Sequence, residues 1–512
     1  MTGKNHPRVR SIRRDALPIT FPINVILGLT VVLGAARLLN AAETESTGSR
    51  SDEALDAALE KIDHLEATVE RLNSRLAGLE QIDGERWLNE ERAEQIRSVV
   101  TDVLADADSR TSFQSDGALA GYAPGKGFYL RSADGKYSMR ISGQLQVRYI
   151  VNDASERSTQ YGFQLRRAKL AFQGHVFDES WTYNIQGAFN RGSSSLSTSN
   201  STDFRLENAY IDKAFDNGFS VRLGQFKAPW LQEDLVSSRR QLAVERSLLS
   251  GYFQQNYDRG IQLEWESDRF RLRAWTGNGI PTPFSGLANN ITSSNWNTNP
   301  AQYSFVGRAE ARFGEASWKE FADFNNFRGR DAGVMLGVSG LYQRYNRSGG
   351  FGNANATTVS GVTGDVTVNF GGASLFAYAV WQNAEDATTP GGQALGTENP
   401  WGFLVQGGYF LSDDVEVFGR YEYGVLGTSG TEPVTGTPYT DNELNMVTVG
   451  VNWFISGNDV KFTTDLGFNL DSLGLPAYGG RGFGTNNGAG YRLDRAGEDL
   501  QWSLRAQMQL LF

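Results

Sequence analysis

Apolar and polar residues alternate with a period of two along most of the chain from about residue 127 to the C-terminus. In residues 137–151 the odd positions are apolar or glycine, and the even positions are polar except at Ile150. The same alternation returns in residues 181–190, 415–423 and 461–470. Successive side chains of a strand point to opposite faces, so these segments predict strands with one apolar and one polar face.

The number and length of these strands favour a membrane barrel. Ten residues tilted by about 45° rise roughly 23 Å, which matches the apolar band of an outer-membrane barrel. About 16 or 17 strands fit between residues 128 and 512, and an even number closes as 16. We therefore predict an all-β transmembrane barrel of about 16 antiparallel strands over residues 127–512. A β-sandwich, a propeller and a β-helix are the soluble alternatives, but they do not explain strands this long behind an export signal.

The last strand carries a further signal. Trp502, Leu504, Ala506, Met508, Leu510 and Phe512 share one face, and Ser503, Arg505, Gln507 and Gln509 share the other. A terminal Phe that closes an amphipathic strand resembles the signal recognised by the barrel-assembly machinery. Phe512 is therefore the predicted assembly signal, and that machinery a predicted partner.

Upstream of the barrel the apolar period becomes 3.5 residues. Two series recur every seven residues, one at Leu55, Ile62, Val69 and Leu76 and the other at Ala58, Leu65, Leu72 and Leu79. Four unbroken heptads predict a coiled coil, with a lone amphipathic helix as the alternative. A second helix is predicted over 90–108, so that 43–110 form a periplasmic helical region, and the glycine-rich residues 111–126 form a linker.

The first 42 residues have the organisation of a signal peptide. A basic stretch from Lys4 to Arg14 precedes a short apolar core over 25–36, and small residues follow. An uncleaved signal anchor is the alternative. No later run of 18 apolar residues occurs, which excludes a helical membrane protein.

Composition and charge narrow the possible functions. The chain has no cysteine and three histidines in unrelated segments, so neither a thiolate site nor a His-rich metal site can form, and we predict no cofactor and no metal. The net charge of −10 argues against a nucleic-acid partner. A barrel enzyme would need a Ser-His or Asp-His set, but His175 is the only barrel histidine. We therefore do not expect an enzyme.

One segment interrupts the alternation, over about residues 227–257. It is too long for a hairpin turn and too apolar to stand in water. We expect it to fold into the barrel as a constriction loop, and an extracellular loop that clasps a neighbouring subunit is the alternative. The charges that it would bring to the pore are Lys227, Glu233, Asp234, Arg239, Arg240, Glu245 and Arg246.

Charged residues also occupy the polar face of successive strands. The predicted basic pore wall consists of Arg140, Arg148, Arg167, Lys169, Arg222, Arg271 and Arg273. Acids on the same face are Glu264, Glu266, Glu310, Glu416 and Glu422. Opposed acids and bases would give a transverse field, so anion preference and mixed selectivity both stay open.

Several motifs resemble the phosphate-selective porin O and P family. They are Leu223-Gly224-Gln225-Phe226-Lys227-x-Pro229, Ser237-Ser238-Arg239, Glu245-Arg246-Ser247-Leu248 and Arg166-Arg167-Ala168-Lys169-Leu170. The resemblance covers about residues 125–512. It implies a 16-stranded trimeric porin in the outer membrane whose third extracellular loop folds into the channel. The coiled coil resembles the periplasmic stalk of planctomycete-type porins.

The resulting prediction is a pore in outer-membrane lipid, a homotrimer, for passive diffusion of small hydrophilic solutes or ions. Preference for anions or phosphate is left open. The alternative function is an envelope tether whose coiled coil binds peptidoglycan or another periplasmic partner.

Overall fold

The computed structural model describes Arg71 and residues 118–123, 127–154, 158–189, 204–280, 301–345, 358–388, 394–427, 443–471, 489–491 and 500–512. The predicted signal peptide, the second helix and, apart from Arg71, the coiled coil lie outside these residues. Among the described residues, no helix is long and apolar enough to span a membrane.

Nineteen strands occur in the described residues. They are β1 (Leu119–Ala123), β2 (Gly127–Arg131), β3 (Ser138–Asp153), β4 (Gln160–Val176), β5 (Asp178–Ala188), β6 (Arg205–Ala214), β7 (Phe219–Lys227), β8 (Tyr257–Glu266), β9 (Phe270–Gly277), β10 (Tyr303–Gly314), β11 (Gly333–Arg344), β12 (Thr358–Asn369), β13 (Ala373–Thr388), β14 (Ala394–Glu398), β15 (Trp401–Phe410), β16 (Val415–Val425), β17 (Glu443–Ser456), β18 (Val460–Asn469) and β19 (Trp502–Leu511). Two short helices, α1 (Gln232–Leu235) and α2 (Leu248–Phe253), and two 3-10 turns, Asp216–Gly218 and Glu320–Ala322, complete the elements.

Sixteen of these strands, β3–β13 and β15–β19, close an antiparallel barrel within the described residues, as predicted. Each pairs with the next, β13 pairs directly with β15, and β19 returns to β3 with Leu504 opposite Val151. The strand β1 lies in the predicted linker over 111–126, which is therefore not a linker throughout. It forms a hairpin with β2, and β2 pairs in turn with the start of β3.

The two faces of the wall are distributed as in a membrane barrel. On β19, Leu504 and Leu510 are 41% and 43% exposed, whereas Arg505 and Gln507 between them are each 3% exposed. A soluble fold buries its apolar face instead. The outward apolar face therefore meets lipid, and the polar face lines the interior.

The connections between barrel strands alternate between two rims. On the rim that carries the C-terminus, six connections in the described residues have one to four residues, and a seventh, residues 315–332, has 18. The connections on the other rim are longer, and residues 228–256 form the third of them. Short turns are typical of the periplasmic rim and long loops of the extracellular rim.

The seam between β19 and β3 depends on a close approach at Gly143. A Cβ atom at this position would lie 2.1 Å from Cζ of Phe512, so the terminal ring occupies the space that a side chain would need. The backbone N–H of Gly143 also donates to the Phe512 carbonyl, at 2.6 Å.

Replacing Gly143 with valine is expected to lower the folded fraction, because the added side chain displaces Phe512 from the closing seam. Heat-modifiable mobility on SDS gels measures the folded fraction. Gly307→Val in β10 is the matched control, since a Cβ there meets nothing within 4 Å. Equal folded fractions for the two variants would contradict the prediction.

Candidate functional site

The connection between β7 and β8, residues 228–256, folds into the barrel, and we call it the infolded loop. Its apolar side chains are buried against inward residues of the wall, which explains why so apolar a segment can leave the sheet. The buried members are Ala228, Trp230, Leu231, Val236, Leu242, Ala243, Val244, Leu248, Leu249 and Phe253.

Small wall residues make room for this core. A Cβ atom at Gly402 or Gly424 would lie 2.5 or 2.8 Å from Cδ1 of Leu249, so α2 approaches the backbone of β15 and β16 directly. Ser247 caps α2 by accepting a hydrogen bond from the N–H of Ser250. The helix is thus fixed both at its start and along its packed side.

One loop carboxylate holds the loop to the wall of β3 and β4. Glu245 accepts hydrogen bonds from Arg148 at 2.8 Å, from Arg166 at 2.5 Å and from Arg167 at 2.8 Å. Burial alone would raise the pKa of this carboxyl, but the charges of Arg166, Arg167 and Arg148 outweigh burial and hold its pKa well below the usual range. Glu245 is therefore a charged anchor among three arginines.

Acidic side chains on the opposite wall accept hydrogen bonds from backbone N–H groups of the loop. Asp465 accepts from the N–H of Val244 at 2.9 Å, and Glu422 accepts from the N–H of Leu249 at 2.8 Å. Asn452 donates to the carbonyl of Leu242 at 3.0 Å. Buried polar groups need such partners, so the inside of β15–β18 is built to receive the loop.

Between the infolded loop and the wall formed by β3–β9 lies a cavity of about 410 Å³, which we call the basic cavity. Eight Lys or Arg side chains line it against three acids. The basic residues are Arg167, Lys169, Arg222, Lys227, Arg239, Arg246, Arg271 and Arg273, and the acids are Glu207, Asp234 and Glu264. Uncharged lining comes largely from amides and aromatic rings, namely Gln144, Gln186, Asn208, Gln254, Asn256, Gln262, Tyr210, Phe226 and Tyr257.

Most of the lining charges are already paired. Lys169 donates to Glu207 at 2.6 Å, and Lys227 donates to Asp234 at 2.5 Å. Arg239 differs, because its buried Nη2 atom has no hydrogen-bond partner among the described residues. This guanidinium therefore presents its charge to the cavity without a bonded acid.

The family model of the phosphate-selective porin O and P family matches residues 139–468. The chain belongs to this family. No curated protein matches the sequence significantly.

Solved structures that are similar to this chain include a porin, an outer-membrane protein and an outer-membrane channel. An anion-selective porin from Comamonas acidovorans has 13% identity and a TM-score of 0.48, with 73% of this chain and 100% of that chain covered. OmpT of Vibrio cholerae has 13% identity and a TM-score of 0.44, with 74% and 98% covered. The channel DcaP of Acinetobacter baumannii has 10% identity and a TM-score of 0.46, with 74% and 99% covered.

The porin brings most, but not all, of the predicted site residues to the cavity. Of the predicted basic wall, Arg148 is buried under Glu245, and Arg140 bonds to Gln173 away from the cavity lining. Of the predicted loop charges, Glu233, Arg240 and Glu245 do not line the cavity. Glu233 instead binds the hydroxyl and the N–H of Ser247 inside the loop.

Four of the five acids expected to oppose the basic wall do not line the cavity. Glu310 is held by Arg271, Arg273 and Arg308. Glu416 and Glu422 bond to asparagines and to the loop backbone in the half of the barrel that the loop fills, while Glu266 pairs with Arg271 outside the cavity lining. Glu264 is the one predicted wall acid among the described cavity-lining residues. Among the described lining residues, basic side chains therefore outnumber acids, and the opposed charges of a transverse field are not found there.

Arg166 is a site residue that the alternating pattern misses. A strand should send Arg166 and Arg167 to opposite faces, yet both bind Glu245. A register shift where β4 pairs with Gln146 and Val147 turns both inward, as a β-bulge does. Two adjacent arginines in a lipid-facing strand indicate such a bulge, since one of them would meet lipid if the strand were regular.

Proposed function

We propose that this porin lets small hydrophilic anions diffuse through the basic cavity. The observation that carries the proposal is the sign of the lining charge, eight basic side chains against three acids. Low-dielectric walls strengthen the effect of each charge on a passing ion. Anions are attracted into such a cavity and cations are repelled from it.

The same arrangement favours general anion preference over a dedicated phosphate site. Bidentate guanidinium groups are good phosphate ligands, but Arg167, Arg271 and Arg273 already bind carboxylates. A phosphate would have to displace those partners. We therefore expect chloride and phosphate to permeate by the same route, without strong discrimination between them.

The test is the reversal potential of the full-length porin in planar bilayers under a salt gradient. A potential of the sign given by anion flux, with a stable conductance, is the expected result. A cation-selective potential, or no conductance from folded protein, would overturn the proposal.

A thiol at Ser238 tests the route directly. Ser238 lines the basic cavity, and the chain has no cysteine of its own. In the Ser238→Cys variant, a negatively charged methanethiosulfonate reagent is expected to react and to lower the single-channel conductance by about half or more, because it adds bulk and a charge of the repelling sign. Unchanged conductance after complete labelling would place the route elsewhere.

The homotrimer, the recognition of Phe512 by the assembly machinery and the coiled-coil stalk stay predictions. The family resemblance supports the trimer, and the heptads support the stalk. Mass measurement of the detergent-solubilised porin by light scattering, with and without residues 43–110, tests both. A trimer that survives the deletion would assign assembly to the barrel alone.

A further inference from the structure

The connection between β10 and β11, residues 315–332, is far longer than its neighbours on the short-turn rim, and we call it the inner segment. It begins with a turn in which Glu320 accepts from the N–H and hydroxyl of Ser317. Four aromatic residues then follow at intervals of three: Trp318, Phe321, Phe324 and Phe327. Phe321 and Phe324 are both 1% exposed, so the segment packs against the barrel instead of projecting from it.

The inner segment reaches from β11 to the far side of the filled half of the barrel. Phe327 packs against Phe410 of β15 and Phe454 of β17, with ring centroids 5.1 and 4.7 Å apart. Asp323 accepts a hydrogen bond from Asn458 in the turn between β17 and β18, at 3.0 Å. On β13, the Ser374 hydroxyl donates to the carbonyl of Phe324 at 2.8 Å.

The same segment meets the tip of the infolded loop, which comes from the opposite rim. The N–H of Phe324 donates to the carbonyl of Arg240 at 3.2 Å. Lys461 of β18 joins the two by donating to the carbonyl of Gln241 at 2.9 Å and to Asn325 at 3.3 Å. Asn325 in turn donates to Glu416, at 2.8 Å.

These contacts are buried and specific. Asn325 and Glu416 are both 0% exposed, and Lys461 is 3% exposed. A buried polar group that loses its partner is costly, so the loop tip and the inner segment stabilise each other's position. The tip carries Arg239, the lining arginine without a bonded acid, so the inner segment also fixes where that charge stands.

We propose that the inner segment is a second element of the constriction. It holds the tip of the infolded loop and closes the half of the barrel bounded by β11–β18, so that ions pass only along β3–β9. This inference rests on the proposed conduction through the basic cavity. It assigns to a periplasmic-side connection the role of a specificity-determining support.

The experiment compares thiol access at position 374 in the full-length porin with and without the inner segment. Ser374 is 7% exposed beneath the segment. In Ser374→Cys alone, a charged methanethiosulfonate reagent is expected not to react with the introduced thiol. When residues 317–329 are also replaced by a four-residue turn, the same thiol is expected to react, and the conductance to rise by about twofold as the filled half opens. Anion preference should fall in the same variant, because Arg239 is no longer held at the cavity.

A second variant covers the case in which the shortened segment prevents folding. Phe324→Ala with Asn325→Ala, made in the Ser374→Cys background, removes the ring contact to Phe376 of β13 and the side-chain bonds to Glu416 and Lys461, and keeps the chain length. Lys319→Ala, on an exposed position of the same segment, is the matched control and should leave the introduced thiol protected.

The outcomes separate this inference from the proposed function. If every folded variant conducts and its introduced thiol stays protected, the role of the inner segment is overturned. The same holds if the thiol already reacts beneath the intact segment. Neither result would affect the proposed function. Absence of anion-selective conductance in the parent porin would overturn the proposed function first.

Discussion

Replacing Glu245 with glutamine is expected to release the infolded loop from the wall of β3 and β4. The substitution leaves Arg148, Arg166 and Arg167 close together without their shared carboxylate. Breaking a buried ion pair by removing one partner typically costs about 3–5 kcal/mol. We therefore expect the free energy of unfolding to fall by about that amount and the single-channel conductance to rise and become noisy as the loop undocks.

Chemical denaturation measures the stability, and bilayer recording measures the conductance. Glu266→Gln is the matched control, since Glu266 pairs with Arg271 at 3.4 Å but is 41% exposed. An exposed pair contributes only about 0–1 kcal/mol, so the control should remain close to the parent. A Glu245→Gln porin with parental stability and quiet conductance would refute the anchoring role.

The direction of the Glu245 pKa adds a pH dependence. A carboxyl whose pKa is lowered by folding contributes stability that is present above its unfolded pKa of about 4.3 and is lost only as the pH falls through the lowered folded value. The docked loop should therefore persist at pH 4.5, where an ordinary glutamate is already partly protonated. Conductance noise that rises already between pH 6 and pH 5 would contradict this sign.

The barrel could be predicted from the sequence because its signal is local. Alternation along one strand reports lipid on one side and water on the other, and no knowledge of the partner strand is needed. The infolded loop could be predicted for a related reason, since Trp230, Leu231 and Leu249 cannot stand in water. Where the loop docks was also encoded, at inward positions of the wall that are apolar. These include Phe376, Tyr378, Val380, Leu404, Leu444 and Met446.

Pairing across the interior could not be predicted, because it depends on which strands face each other around the loop. The sequence places Glu310, Glu416 and Glu422 on the same inward phase as the arginines. The sequence does not reveal that Glu310 forms ion pairs with Arg308 and Arg271. Nor does it reveal that Glu422 accepts a hydrogen bond from the loop backbone. The bulge that turns Arg166 inward and the docking of the inner segment are likewise tertiary features, although four aromatics at intervals of three hint at the second.

The pairing explains why an acidic chain can hold a basic cavity. The net charge of −10 counts every acid equally. Inside the barrel, several acids are used where the loop and the inner segment dock, and the remaining space is lined mainly by arginine and lysine. Selectivity should therefore follow the few charges at the cavity, and composition is a poor guide to it.

Reversing the charge of Arg239 is expected to have the largest effect on selectivity of any single substitution. Its guanidinium has no bonded acid among the described residues, and its main-chain bond to Gln509 does not involve the side chain, so the fold should tolerate the change. Arg239→Glu alters the cavity by two unit charges. At an effective dielectric constant of about 20, this charge change should shift the relative electrostatic energies of an anion and a cation in the cavity by about 1.4 kcal/mol, even if the permeating ion feels only part of it. The anion-to-cation permeability ratio should therefore change about tenfold.

Reversal potentials under gradients centred on about 0.1 M and about 1 M salt test this expectation, because the Debye length falls from about 10 Å to about 3 Å between them. The shift should be large at low salt and small at high salt. Arg239→Lys keeps the charge and should keep the parental permeability ratio. The ratio of Arg239→Gln should lie between those of Arg239→Lys and Arg239→Glu. Equal selectivity in all three variants at low salt would mean that permeating ions do not pass this arginine. Since Arg239 stands where the infolded loop meets the inner segment, that result would exclude the basic cavity as the route even in a porin that conducts.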